Sequence, residues 1–350
     1  MPGADIGASG SVWAALESTY GTVKDPSVST NEMDGHYVPI LSETLAYTEP
    51  DRYYSEQIRH EAIASDVKPS YYHVAGDIVM ECDAQYLPIF LAASRHKTLQ
   101  TGTGANQLYT ITPSKTGATY PGGAALGLSI AVIRNNVGFV YSGCVVTQAA
   151  FTLNNGIGQI TLSILGLAET PMNNIGALNP TFADPKLFGA DAHAIYVDAS
   201  GTSPAFAAPD ATFNGYTFTI NHNGEPQNRV IRERSASYIK YGITEPSFDT
   251  ELDFLSRTEY DHYKAADFKA YRFESVIPGG AGSTWAAATQ AYRITCYKAF
   301  YATYEIGLSG MGDLVMARTT GRVLGGLAGV DGYKIEIKSP TDLSLPPLTT

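Results

Sequence analysis

The sequence predicts a mainly β chain built as two tandem units of similar design, each with one short helix. Three observations carry this reading. Alternation of period two recurs along the chain, clearest in residues 248–254, where Phe248, Thr250, Leu252 and Phe254 point one way and Asp249, Glu251 and Asp253 the other. The composition leans toward strands and turns, with 34 Gly, 19 Pro and 23 Tyr in 350 residues and only 16% charged residues. Short similarities recur at matched spacing in the two halves.

Each unit follows one plan of strand, tight turn and short helix. Residues 248–268 read FDTELDFLSRTEYDHYKAADF. Ser256 and Glu259 have the S-x-x-E spacing of a capping box, in which each side chain satisfies an orphan N–H of the first turn. Tyr260, Tyr263 and Phe268 fall on one side of that helix. In the first half, residues 76–96 read GDIVMECDAQYLPIFLAASRH. There Ile78, Met80 and Cys82 alternate with Asp77, Val79 and Glu81, and Pro88 falls in the first turn of an apolar helix, where a missing N–H costs little. Upstream, Tyr47 and Ile58 are 11 positions apart, as are Ile220 and Ile231. Ile58 precedes Asp77 by 19 positions, and Ile231 precedes Asp249 by 18. Chance recurrence in a β-rich chain is the competing explanation; the matched spacings favour duplication, with units at residues 1–180 and 181–350.

The remaining elements follow in order. Residues 1–11 are small and polar and read as a mobile arm. In VWAALESTYG, Trp13 and Leu16 read equally as an anchor on a neighbouring surface and as a local core anchor. Residues 37–47 form a strand interrupted at Pro39. Residues 49–68 are polar and too long for a turn, the kind of segment that a partner orders. Residues 101–123 read as a Gly/Thr-rich loop around one short strand, LYTIT. LSIAVIR, GFVYSGCVVTQAAFTLNN and GQITLSILGLAE are strands, with Asn154-Asn155-Gly156 a hairpin turn. Residues 169–209 read as a linker holding one strand, AIYVD. Residues 278–283 read as a flexible loop, AYRITCYKAFYATYEI as one long or two short strands, and residues 308–332 as glycine-rich connection. YKIEIK is a last strand, and the terminal TDLSLPPLTT is disordered or docked on a partner.

Little here points to catalysis. The net charge of −11 argues against a general nucleic-acid binder, which shows a basic patch or stripe. Cys82, Cys144 and Cys296 lie far apart in apolar runs and read as buried free thiols made in a reducing cytosol. No signal-peptide pattern and no membrane-length apolar run is present. There is no G-x-S-x-G, no G-x-G-x-x-G and no P-loop. The seven histidines form no H-x-H or H-x-x-x-H pair; His60 and His73, near Glu61 and Asp77, read as structural rather than ligating. Asp249, Glu251 and Asp253 have the residue types of a hydrolytic carboxylate pair, but their strand spacing is more simply one face turned to water. RVIRER reads as a charged turn making inter-subunit pairs, in preference to an anion site. No cofactor is expected.

Taken together, four stretches resemble the tail tube (major tail) proteins of long-tailed bacteriophages with flexible, non-contractile tails. They are WAALESTYGT, GDIVMECDAQYLPIFLAAS, GCVVTQAAFTLNNGIGQITLSILG and ASYIKYGITEPSFDTELDF with its following helix. The chain is about twice the length of a minimal tube subunit, in keeping with two tube-like units. The resemblance implies β-sandwich or half-barrel units, each with one helix on its outer side. Their inner sheets would join into a β-barrel ring, and rings would stack into a tube for DNA and the tape-measure protein. Joining sheets round a ring also removes edge strands, which otherwise invite uncontrolled pairing.

It further implies a structural virion protein in the phage tail, made in the host cytoplasm, with no catalytic activity and no membrane partner. Expected partners are other copies of the chain, the tape-measure protein, genomic DNA, and tail terminator and tail-tip proteins. Two units per chain predict a trimeric, pseudo-sixfold ring, with a hexamer carrying the second half outside as the alternative. Asp77, Glu81, Asp249, Glu251 and Asp253 are expected to make an acidic lumen, with an outward-facing solvent surface as the competing placement. Trp13, Arg52, Arg59, Arg232 and Arg234 are expected at contacts between subunits or rings, and residues 49–68 and 225–237 as bridging arms. Other tail components of this fold (a terminator or baseplate hub protein) and, more remotely, a β-rich glycosidase or glycan-binding domain are the rival readings.

Overall fold

The computed structural model describes residues 10–28, 35–49, 52–54, 67–103, 106–114, 127–134, 137–154, 156–172, 175, 178, 180, 182, 186–227, 233–255, 257–277, 284–307, 315–325, 327 and 331–342. The expectations for residues 1–9, Arg59, Arg232, Ser256, residues 278–283, residues 308–314, 326 and 328–330 and the tail beyond residue 342 lie outside these, as does the middle of the 49–68 segment.

The chain is mainly β and antiparallel. The strands of the first half are β1 (Ser11–Leu16), β2 (His36–Val38), β3 (Ser42–Glu43), β4 (Ala46–Thr48), β5 (Tyr53–Tyr54), β6 (Val67–Lys68), β7 (His73–Glu81), β8 (His96–Thr103), β9 (Asn106–Pro113), β10 (Leu128–Arg134), β11 (Val137–Asn154), β12 (Ile157–Gly166) and β13 (Ala168–Pro171). Those of the second half are β14 (His193–Ala199), β15 (Phe213–Asn221), β16 (Gly224–Gln227), β17 (Tyr238–Tyr241), β18 (Glu245–Asp253), β19 (Lys269–Ile277), β20 (Gln290–Gly307), β21 (Met316–Val323) and β22 (Tyr333–Ser339). Helix α1 (Leu87–Ala92) follows β7, and α2 (Thr258–Ala265) follows β18.

One layer is a sheet in the order β4–β7–β12–β11–β15–β18–β21–β20, with β3 beside β4 along the edge of β7. It is not closed into a barrel. Behind it run β2–β1–β10–β11–β13 and β14–β19–β20–β22–β9–β8. β11 and β20, each of 18 residues, belong to both layers. Each carries a bulge where it changes partners: Thr147 lies unpaired between Val146↔Ile164 and Gln148↔Ser163, and Ala302 between Tyr301↔Gly321 and Thr303↔Thr320. A bulge bends its strand and raises the local twist, which lets one strand serve two sheets.

These two bulges align the halves residue by residue. With Thr147 set against Ala302, the second bulge coincides too: Leu128↔Cys144 and Ile130↔Tyr141 match Lys269↔Ala299 and Tyr271↔Cys296. Ser163↔Asp77 then matches Thr320↔Asp249, and Tyr47↔Val74 matches Ile220↔Pro246. Asp77 with Asp249, and Tyr47 with Ile220, are the pairs that the sequence spacings equate. The plan of β1, β4, β7, α1, β10, β11, β12 and β13 is therefore repeated by β14, β15, β18, α2, β19, β20, β21 and β22.

The core lies between the layers. Phe90, Phe151, Phe218, Phe248 and Phe273 are fully buried in it. All six residues of α1 are buried, with Pro88 in its first turn. α2 buries none; its Tyr260 and Tyr263 rings lie 5.7 and 5.8 Å from Tyr304.

Several local expectations are corrected. The N-cap of α2 is Arg257, without a side-chain cap, and Glu259 accepts a 2.8 Å hydrogen bond from Tyr301 Oη, while Ser256, the other half of the expected capping box, lies outside the described residues. The helix is shorter than its pattern, ending at Ala266 with φ 51°, so Phe268 lies beyond it and packs on Phe300. Residues 101–123 hold more strand than expected, because β8 and β9 form an eight-pair hairpin. β9 then pairs with β22, so a hairpin from the first half completes a sheet of the second. β21 was not expected at all. Its core-facing positions are Ala317, Thr319, Gly321 and Val323, too small to show a hydrophobic period. They are small because large rings fill the space opposite: a Cβ on Gly321 would lie 2.0 Å from Phe248 Cζ.

Candidate functional site

The front of the eight-strand sheet carries the residues singled out for an acidic surface. Along β7 the side chains of Val74, Ile78 and Met80 enter the core, so Asp77 and Glu81 project from the other face. Along β18, Phe248, Thr250 and Leu252 enter the core and Asp249, Glu251 and Asp253 project with them. Period two alone sets this division. Register then gathers the face: Asp77 pairs with Ser163, and Asp249 lies between Thr217 and Thr320. The same face takes Thr161 from β12, Ala150 and Thr152 from β11, Thr219 from β15 and Thr303 from β20. It is thus a surface of small hydroxyl and methyl groups studded with carboxylates.

Four charged residues of this face were not anticipated, the first being Glu245 at the start of β18. Glu305 stands opposite Arg318, and Arg322 opposite Ser247. Arg318 Nε lies 2.9 Å from Glu251 Oε1, Thr320 Oγ1 donates to Asp249 Oδ1 at 2.7 Å, and Asn214 Nδ2 donates to Asp253 Oδ1 at 2.6 Å. On the described face seven acids (Asp77, Glu81, Glu245, Asp249, Glu251, Asp253, Glu305) meet two arginines (Arg318, Arg322), so the surface is net negative. Asp249, Glu251 and Asp253 are each tied to a neutral or cationic neighbour, and Asp249, Glu251 and Glu305 line one open concavity of about 530 Å³ together with Arg318 and Thr303. Among the described residues no cluster of His, Cys, Asp and Glu is arranged to hold a metal ion. All three cysteines are free and buried, and burial pushes the Cys82 thiol up to about 12, so none is a poised nucleophile.

The two ends of the sheet are open. Among the described residues, no strand pairs along the outer edge of Thr303 to Gly307 in β20, and none along the outer edge of β4. Apolar side chains stand exposed at both ends: Ile306 is 44% exposed at one, and Leu41 and Tyr47 are 51% and 37% exposed at the other.

Between the units, by contrast, the sheet is continuous. β11 pairs with β15 from Gln148↔Asn221 to Thr152↔Thr217. The β16–β17 hairpin folds back from β15 over the first unit, where Tyr238, Ile239 and Tyr241 cover Val145, Leu165 and Leu167. Arg234, in the connection between β16 and β17, donates to Ser70 O at 3.0 Å and Tyr47 Oη at 3.0 Å and pairs with Glu49 at 3.3 Å. Glu49 also accepts from Ser70 N, a bond that holds its carboxyl below the usual range, with help from Tyr47 and Arg234. These partners of Arg234 all belong to its own chain, whereas the expected contact was to a neighbouring subunit or ring.

Of the other expected contact residues, Arg52 is an exposed side chain 3.9 Å from Glu49. Trp13 is 0% exposed, packed in this chain against Tyr37, Ala131, Ile133 and Val140, so it is a core anchor and not a contact to a neighbour.

The sequence profile of the phage tail tube protein family matches residues 7–321 of the chain. The chain belongs to the phage tail tube protein family. A comparison with curated proteins found no match. Membership of the tail tube family makes this a structural protein of the phage tail, and the β-rich, doubled sheet is its scaffold. No helix among the described residues is long and apolar enough to cross a membrane.

Proposed function

We propose that this chain is the subunit of the tail tube of a long-tailed phage with a non-contractile tail, and that three copies close each ring. The observation that carries the reading is the eight-strand sheet, with one small-residue acidic face and two open edges. The units, assigned to residues 1–180 and 181–350, supply four strands each, so three chains give 24 strands. At about 4.8 Å between strands, such a barrel is at least ~37 Å across at the backbone, and side chains project about 5 Å from the wall. Two chains would give only about 24 Å, leaving about 14 Å, too narrow for a duplex whose grooves are each about 8 Å deep. Closing the ring also consumes the exposed edges, which otherwise invite disordered pairing.

In this reading the acidic face lines the lumen. Like charge at the wall limits phosphate contacts, so DNA slides past without sticking. The tape-measure protein occupies the same channel during assembly, and terminator and tail-tip proteins close the two ends. The buried free thiols fit synthesis in a host cytoplasm. A role without catalysis fits a face on which Asp249, Glu251 and Asp253 are each paired to a neighbour.

Native mass spectrometry of short assemblies, with negative-stain microscopy, tests the proposal. Tubes built from rings of three chains are expected. Six chains per ring, with β18 outside the barrel wall, would reject the doubled-unit ring. Single rings that never stack would point to a terminator instead.

A further inference from the structure

We infer that copies of this chain join by pairing Thr303 to Gly307 of one β20 with residues 44–48 of the next copy, in a register that places Tyr304 opposite Tyr47. This rests on the tube reading above and specifies its joint.

The inference comes from the junction already present inside the chain. The alignment of the halves sets β20 against β11 and β4 against β15. Within the chain, β11 and β15 are paired as Gln148↔Asn221, Ala149↔Ile220, Ala150↔Thr219, Phe151↔Phe218 and Thr152↔Thr217. Carried across the duplication, these become Thr303↔Thr48, Tyr304↔Tyr47, Glu305↔Ala46, Ile306↔Leu45 and Gly307↔Thr44 between copies. Among the described residues no strand lies along the outer edge of Thr303 to Gly307 or of Ala46 to Thr48, while Leu45 beside them bonds the side chains of Glu43, Arg134 and Tyr141 through its backbone.

Burial supports the assignment independently. Phe151 and Ile220 are 0% exposed inside the junction, whereas their counterparts Ile306 and Tyr47 are 44% and 37% exposed. Each is the large apolar group that a missing neighbour strand would cover. A second contact follows from the same mapping. The β16–β17 hairpin covers Val145 and Leu167, whose counterparts are Phe300 and Leu324. Beside these, Phe268 is 44% exposed and packs on Phe300. The counterpart of that hairpin is β5–β6, paired Tyr53↔Lys68 and Tyr54↔Val67, with Val67 45% exposed. The hairpin of one copy thus extends over the second unit of its neighbour, as β16–β17 extends over the first unit at home.

The test uses wild-type protein and one cysteine pair. On assembly, the edge-pointing backbone amides in residues 303–307 and 46–48, those not already bonded within the sheet, are expected to gain at least tenfold protection from hydrogen exchange. In the variant E305C/A46C the two thiols face each other on neighbouring strands, at a Cα separation compatible with a disulfide. Oxidised tubes are expected to run on a non-reducing gel as dimer and trimer, with nothing larger, because a closed ring of three ends the series. The pair E305C/T48C, two residues out of register, is expected to cross-link much less. Assembled rings whose edge amides stay unprotected, or equal cross-linking by both pairs, would overturn the joint while leaving the tube reading intact. A wild-type protein that forms no rings at any concentration would overturn both.

Discussion

Glu17 shows how a single buried carboxylate positions an element. It is 2% exposed and accepts from Gly21 N at 2.6 Å, Gly143 N at 2.8 Å and Ser129 Oγ at 2.9 Å. Burial raises its pKa while those three donors pull it down. The bonds tie the segment after β1 to β10 and β11. Glu17→Ala leaves buried donors unsatisfied and is expected to cost about 2 kcal/mol, read as a lower midpoint in urea. A second residue-scale feature is the His96–His222 pair, with ring centroids 4.8 Å apart and Arg95 beside it. His96 Nε2 lies 2.7 Å from Tyr333 Oη, and His222 Nδ1 lies 3.0 Å from Thr244 Oγ1. Burial lowers the pKa of His96 to about 4 and that of His222 to about 2, from 6.5 in the unfolded chain. The unfolded state thus binds protons first as pH falls. Stability from this pair is complete above about pH 6.5 and is lost progressively as pH falls toward 4. Melting temperatures measured at pH 7.5, 6 and 5 are expected to decline, and His222→Gln is expected to flatten that decline.

At the scale of elements, small residues in β21 accommodate large ones in β18. Phe248 packs at 4.7 Å from Tyr271 and 5.6 Å from Phe273, and its ring fills the space above Gly321. In the first unit Ile164 holds the matching position, so the two units solve the same packing problem with opposite choices of size. Gly321→Val is expected to cost about 2 kcal/mol or more by overpacking, visible as a lower melting temperature. The long strands carry the other element-scale lesson. Their bulges at Thr147 and Ala302 fall at matching positions, and each marks the place where the strand passes from one layer to the other. The edge of β20 offers a separate test. Ile306→Asp places a charge on an exposed side chain, so the monomer is expected to keep its melting temperature within about 0.5 kcal/mol of stability. Sedimentation is expected to show loss of assembly; tubes of unchanged length would count against the use of this edge.

For the whole molecule, the net charge of the open face governs passage through the proposed lumen. D249K/E251K reverses two charges on each copy. Phage carrying it are expected to eject DNA more slowly at low salt and to recover speed as salt rises, since screening weakens wall-to-phosphate attraction. Ejection kinetics identical to wild type at every salt concentration would place these carboxylates away from the DNA path.

The sequence alone determined the local terms. Strict alternation in β18 assigned Phe248 and Leu252 to the core and Asp249 and Glu251 to the opposite face, because period two is a property of the strand itself. Landmark spacing set Tyr47 against Ile220 and Asp77 against Asp249, and the strand pairings equate the same residues. Partner choice needed the tertiary structure. Nothing local says that β9 pairs with β22, that Trp13 turns into its own core, or that β21 exists beneath Phe248. Strand pairing is a contact between residues far apart in the chain, and periodicity fixes which face a side chain takes but not which strand lies beside it. The two open edges are the clearest case: Ile306 and Tyr47 look like ordinary strand residues until the fold leaves them on edges where no described strand pairs.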